Sequence, residues 1–226
     1  MMMPLRVGYA KRHYGVLSTT LLLWTIILLS GCGGIKTIKP QYMSNFQATS
    51  LFDGKEQLIT VNAFYDDRTT SDKIGEGFNA YGGKLESWVA DNDPLMVVEN
   101  AIIEQLKNSG FTVVRSRGWN YDPNSIPAQV KTRLIVGGKL KTFWVESRPS
   151  FWTVTINSKV SFDFLISDTI EKTNLYTGQF TGNSQSDHVY RGAGDMQNSI
   201  SMALTQAVNK AFQDDTVREI LLKKWQ

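Results

Sequence analysis

The sequence predicts an α+β fold: a two-layer sandwich with a mixed, mostly antiparallel sheet of about five strands. Two amphipathic helices cover one face, and a short C-terminal helix follows. Three observations predict it. Trp152, Val154, Ile156, Ser158, Val160, Phe162, Phe164 and Ile166 alternate with Thr153, Thr155, Asn157, Lys159, Ser161 and Asp163, the period-2 pattern of a strand with one buried and one wet face. Leu95, Val98, Ile102 and Leu106 recur at helical spacing, as do Ile200, Leu204, Ala207, Val208, Ala211 and Phe212. A helix with one apolar stripe and a sheet with one apolar face stabilise each other by burying both.

The chain begins with a targeting segment. Arg6, Lys11 and Arg12 precede the apolar run from Val16 to Leu29, with no acidic residue before Cys32. That run falls short of the roughly 20 residues that span a bilayer. A positive flank, a short apolar core and small residues at Ser30 and Gly31 are the parts of a secretory signal. Leu29-Ser30-Gly31-Cys32 has the form of a lipobox, so residues 1–31 are read as a cleaved signal peptide and Cys32 as the lipidated first residue. A diacylglycerol with a further acyl chain supplies the two or more hydrophobic signals that stable anchoring needs. Gly33 stands where an Asp would retain the protein at an inner membrane, which favours the outer one.

Removing the signal leaves as many basic as acidic residues, 21 Asp and Glu against the Lys and Arg that remain. The mature chain is neutral, so nucleic-acid binding is not expected. Cys32 is the single cysteine of the chain, which excludes a disulfide framework, a thiolate metal cluster and a cysteine nucleophile. No cofactor is expected.

Residues 32–56 show no sustained period and read as the lipidated cysteine with a flexible tether, whose random-coil span is roughly 25–30 Å. Residues 57–226 form the single globular domain. Gln57–Tyr65 is its first strand, ended by the turn-like Asp66-Asp67-Arg68. Thr69–Asp91 reads as a long polar connection. Its Gly75-Glu76-Gly77-Phe78-Asn79-Ala80 matches a dinucleotide fingerprint formally, but no strand leads directly into it and Gly82-Gly83 follow, so cofactor binding is rejected. Asp93-Pro94 opens a helix that Gly110 closes, and Phe111–Arg115 is a strand parallel to the first. An irregular loop, Arg117–Gln129, carries Trp119 and Tyr121. Lys131–Val145 is a strand with a bulge expected at Gly137-Gly138. After the alternating strand, Lys172–His188 reads as a more polar outer strand open to pairing across subunits. Gly194-Asp195 starts the second long helix, and Asp214-Asp215 caps a short one over Val217–Trp225.

The Asp67-Arg68, Ile74-Gly75, Gly82-Gly83 and Gly110-Phe111 pairs, in that order behind a lipobox and ahead of a long and a short C-terminal helix, resemble the YajG family of bacterial lipoproteins. The resemblance covers nearly all the mature chain. It implies an outer-membrane lipoprotein facing the periplasm and supplies no catalytic residues.

Few routes to catalysis exist. His188 is the one histidine after Cys32, no GxSxG is present, and Asp66, Asp67, Asp72 and Glu76 read as a solvated turn rather than a metal site. The expectation is a non-enzyme without catalytic or metal-binding residues. Phe143-Trp144 and Phe151-Trp152 flank Arg148-Pro149 at a hairpin tip. With Trp152 facing the core, Phe151 points outward, joined by Trp144 or Phe143. These residues and Arg148, extended by Trp119 and Tyr121, are the candidate partner-binding patch, since aromatic and Arg side chains make protein contacts. The expected role is a lipid-anchored binding or assembly module of the envelope, touching the membrane through Cys32 and docking an envelope protein or further copies of itself. The alternatives are a carrier of a lipid or glycan, a structural subunit of a secretion or motility machine, and an enzyme using the Asp66–Glu76 loop.

Overall fold

A computed structural model describes residues 34–44 and 57–223. The signal segment, Cys32, residues 45–56 and Trp225 lie outside the described residues. The elements in chain order are β1 (Gly34–Ile38), β2 (Gln57–Asn62), β3 (Tyr65–Asp66), β4 (Gly75–Phe78), β5 (Lys84–Ala90), α1 (Pro94–Asn108), β6 (Phe111–Ser116), β7 (Leu134–Pro149), β8 (Val154–Asp168), β9 (Thr173–His188), α2 (Ala193–Gln213) and α3 (Asp215–Lys223). A 3₁₀ turn covers Pro123–Ser125.

The fold is α+β, as the sequence predicts, but among the described residues the sheet has nine strands rather than five. The 16-residue β7 is its spine. One edge of β7 pairs in succession with β2, β3 and β4, all parallel, while the other edge pairs antiparallel with β8 along its whole length. Parallel pairings therefore outnumber antiparallel ones, although the two longest, β7–β8 and β8–β9, are antiparallel. The predicted parallel pair holds: β2 lies beside β6, with Gln57 opposite Phe111, and the connection runs through β3, β4, β5 and α1.

Helix starts follow their caps. The Asp93 carboxylate accepts from Leu95 N at 3.0 Å, Gly110 takes φ +98° behind α1, and Asp214 accepts from Val217 N at 3.0 Å ahead of α3. Both long helices bury their stripes in one core with Phe162, Phe164, Val160 and Ile156 of β8. The sheet curls, so that α2 touches β9 at one side and β1 at the other.

Three sequence expectations fail for identifiable reasons. Gly34–Ile38, read as tether, is a strand parallel to β5, with Gly34 opposite Glu86 and Ile38 opposite Ala90. The chain then runs along α2, where Lys39, Gln41 and Met43 donate backbone N–H bonds to Gln197, Ser201 and Thr205, each at 3.0 Å. Alternate residues of an extended chain thus meet helix positions four apart, an arrangement with no local signature. The polar connection Thr69–Asp91 holds two more strands, β4 and β5. Gly75 suits β4 because a Cβ there would lie 2.0 Å from the Val145 carbonyl. The bulge in β7 falls between Leu140 and Thr142, not at the glycine pair. Gly137 and Gly138 instead admit rings on the two faces: a Cβ at Gly137 would sit 2.7 Å from Tyr121, and one at Gly138 2.5 Å from Phe64.

The helix-free face carries a small second core of Trp119, Ile126 and Ile135, with Tyr121, Val130 and Leu165 against it. No helix among the described residues is long and apolar enough to cross a membrane.

Candidate functional site

Four pieces of chain gather at one end of the sheet. β4 and β9 both run in the direction of β7, so the β4–β5, β7–β8 and β9–α2 connections emerge together. The register fixes this: Gly77 lies opposite Ser147, and Val154 lies opposite both Pro149 and His188. Gly34 joins them, because Glu86, its partner on β5, is also the partner of Gly77.

Each connection lifts apolar side chains into solvent. Ser150 N bonds Thr153 O at 2.7 Å, closing a tight turn with Phe151 and Trp152 at its centre. Both rings are therefore exposed, stacked edge-on with centroids 4.7 Å apart. This corrects the expectation that Trp152 faces the core, since β8 begins only at Val154. In the β4–β5 turn the Asn79 carboxamide accepts from Tyr81 N at 2.9 Å and Gly83 N at 2.7 Å, holding Tyr81 outward. Val189 and Tyr190 project from the β9–α2 connection.

Beneath this rim lies a charged clasp. Glu86, 5% exposed, pairs with Lys36 at 2.6 Å and with Arg191 Nε at 2.7 Å. Arg191 also donates to Phe78 O and Ser147 Oγ, both at 3.2 Å. Gly77 leaves the space, since a Cβ there would meet Arg191 at 2.7 Å. Arg148 stacks on Phe78 with its guanidinium 4.4 Å from the ring centroid and pairs with Glu146 at 3.1 Å.

Of the candidate contact residues, Arg148 and Phe151 stand at this rim. Phe143 is core, because β7 turns it toward the helices. Trp144 points to the opposite face and is half-buried. There it floors an open groove of about 580 Å³ with Glu146, Asn157, Lys159, Asn183 and Gln185. Trp119 and Tyr121 do not extend the rim. Trp119 is fully buried, bonded to Asn62 and Asp122, and Tyr121 packs on Gly137 well back along β7. Burial pushes the Tyr121 phenol pKa up. Tyr81, Val189, Tyr190 and Ile35 were missed, because nothing local in a sequence says which turns share one end of a sheet.

The acidic residues of the Asp66–Glu76 loop do not converge. Asp66 accepts two bonds from Arg68, Asp67 pairs with Lys141 at 2.5 Å, and Glu76 holds Lys73 and Lys84, both at 2.6 Å. Those hydrogen bonds hold all three carboxyls below their usual range. No group of three or more metal-ligating side chains occurs among the described residues. Ser186, His188 and Asp195 touch in series: His188 Nε2 is 2.9 Å from Ser186 Oγ, and Nδ1 is 3.4 Å from Asp195. Ser186 lies in a regular strand opposite Ile156, not on a sharp turn that would aim its hydroxyl at a substrate beside free backbone N–H groups. Asp195 meanwhile caps α2 by accepting from Gly192 N at 3.1 Å.

The outer edge of β9 is partly occupied. Gln206 accepts from Asn183 N at 2.6 Å, and Lys210 donates to Thr181 O at 2.9 Å, which blocks strand pairing at its middle.

No family model matches the chain, and no curated protein matches it. Among solved structures, protein XCC0632 from Xanthomonas campestris, described with the family-model DUF330, superposes with a TM-score of 0.51 at 8% identity, over 84% of this chain and 97% of that one. A putative neuraminyllactose-binding hemagglutinin homolog from Helicobacter pylori reaches a TM-score of 0.46 at 10% identity, over 82% and 95%. Lipoprotein GNA1162 from Neisseria meningitidis reaches 0.37 at 11% identity, over 68% and 99%. These last two are too remote to carry an argument. The chain shares its fold with the Xanthomonas protein, and at such low identity the likeness extends no further.

Proposed function

We propose that this chain is a lipid-anchored lipoprotein of the bacterial envelope, of the YajG-like kind, held at the outer membrane through Cys32. It acts by contact rather than by catalysis. The observation that carries this reading is the seam between lipobox and fold: β1 begins at Gly34, with Gly33 alone between it and the cysteine. The segment that follows β1 is bonded along α2, so the folded domain itself starts two residues after the cysteine.

The contact surface for an envelope partner is the open groove at Trp144. An indole beside Glu146, Lys159 and the amides of Asn157, Asn183 and Gln185 offers one large apolar contact ringed by hydrogen-bonding groups, the usual anatomy of a protein contact. A lipid or glycan carrier would need a chamber between helices and sheet, where Ile102, Leu106, Phe162, Phe164, Leu204 and Val208 instead form one continuous core. A photo-crosslinking amino acid in place of Lys159, in cells making the lipidated protein, tests the groove. A discrete protein adduct, lost when Trp144→Ala is added, supports the reading; no adduct at Lys159 with the protein folded and membrane-bound contradicts it.

A further inference from the structure

Exposed apolar side chains are not spread evenly over this domain. Among the described residues, the large apolar side chains at least 70% exposed are Tyr81 (97%), Phe151 (84%), Tyr190 (83%), Trp152 (81%), Ile35 (75%), Ile170 (73%) and Val189 (70%). All but Ile170, which sits in the β8–β9 turn at the opposite end, belong to the single end built by the β4–β5, β7–β8 and β9–α2 connections and the start of β1. Scattered single exposures need no explanation, but a cluster of this kind marks a contact surface.

The chain itself says what that surface meets. β1 enters the fold at this end, and Cys32 lies two residues before Gly34, within about 7 Å of it by the reach of an extended backbone. We infer that the aromatic end is a bilayer-docking face, which sits on the phospholipid surface that holds the anchor. This rests on the lipid-anchor reading above and adds which part of the domain the membrane covers.

The chemistry suits that occupant. Tyr and Trp rings favour the headgroup level, where an apolar body meets a wet polar edge, and Phe151, Val189 and Ile35 can reach the acyl boundary. Lys36, Lys84 and Arg148 surround them; each is paired with a carboxylate, Glu86, Glu76 and Glu146 in turn, yet keeps 52%, 43% and 54% of its side chain exposed at the level of lipid phosphates. The acyl chains supply the attachment; the rim fixes the orientation, standing β7, β8 and β9 away from the membrane. Trp144 then lies five residues from Pro149, about 17 Å back along the strand, leaving its groove clear of the lipid.

The test uses the full lipidated protein on vesicles of phosphatidylethanolamine and phosphatidylglycerol. Because the Cys32 sulfur is blocked by lipid, one added cysteine, Trp152→Cys or Ile170→Cys, can carry an environment-sensitive fluorophore, and vesicles with nitroxide lipids report its depth. At position 152 the emission should shift to the blue and be quenched by the nitroxide; at position 170 neither should occur. A probe at 152 as wet as that at 170, on protein that floats with the vesicles, overturns the docking face and leaves the anchor standing. Protein that does not float overturns both. A probe at 152 that is shielded in whole envelopes but wet on protein-free vesicles assigns the rim to a protein partner and also overturns the inference.

Discussion

Arg191 and Glu86 lie 2.7 Å apart and are the joint between the β9–α2 connection and β5. Neither is adjacent to the other in sequence or in the strand ladder. The nearly buried carboxylate is stable only because Arg191 and Lys36 both face it, and the guanidinium is held by Phe78 O and Ser147 Oγ as well.

Removing one partner should therefore cost more than removing the pair. Arg191→Met leaves Glu86 with Lys36 alone, and the expected loss is on the order of 3 kcal/mol in urea unfolding. Adding Glu86→Leu to it should recover much of that loss. A single variant as stable as the native protein would show that the clasp contributes nothing.

Gly182 is packed under α2, where a Cβ would come within 1.9 Å of the Ala203 carbonyl. Gly182→Ala should force helix and strand apart and lower stability by about 1–3 kcal/mol. Gly34→Ala, where a Cβ meets nothing within 4 Å, should be silent by comparison.

The segment after the anchor gives a sharp test by hydrogen exchange. Lys39, Gln41 and Met43 should be protected, since their N–H groups bond to α2 side chains. Thr205→Val should release Met43 selectively and cost about 1 kcal/mol. Exchange at the rate of an unstructured peptide would restore the flexible tether.

Stability should fall in acid in a defined direction. Arg68 holds the Asp66 carboxyl down, and Lys73 followed by Lys84 does the same for Glu76, so both ionise more readily folded than unfolded. Their contribution is complete above the ordinary carboxylate range and disappears as pH drops through the lowered folded values. Glu76→Gln should cost about 1 kcal/mol or less at pH 7 and flatten the decline below about pH 4. An unchanged acid decline would remove Glu76 from the account.

Ser186, His188 and Asp195 are expected to be inert toward a fluorophosphonate probe. The serine sits in a regular strand opposite Ile156 rather than on a sharp turn. Labelling abolished by Ser186→Ala would reopen an enzymatic reading.

Elements with a repeating pattern were legible in the sequence: the α1 and α2 stripes, and the alternation along β8. β1, β4 and β5 were not. The glycines of β4 answer to Val145, Glu86 and Arg191, which are far away in the chain, and read locally as a loop. The candidate surfaces divide the same way. Phe151 and Arg148 sit beside a recognisable turn. Their association with Tyr81 follows from parallel β4–β7 pairing and that with Tyr190 from the β7–β8 and β8–β9 ladders, and the separation of Trp144 from them follows from which face of β7 each residue takes. Trp119 stands on an irregular loop, where nothing local shows that Ile126 and Ile135 bury it, so it remained a candidate extension of the patch.

The proposed role depends first on chemistry at one sulfur. Mass spectrometry of the protein purified from its native membrane should find a chain beginning at Cys32 with a diacylglyceryl thioether and an acylated amino group. A free thiol at Cys32, or residues 1–31 still attached, would contradict it.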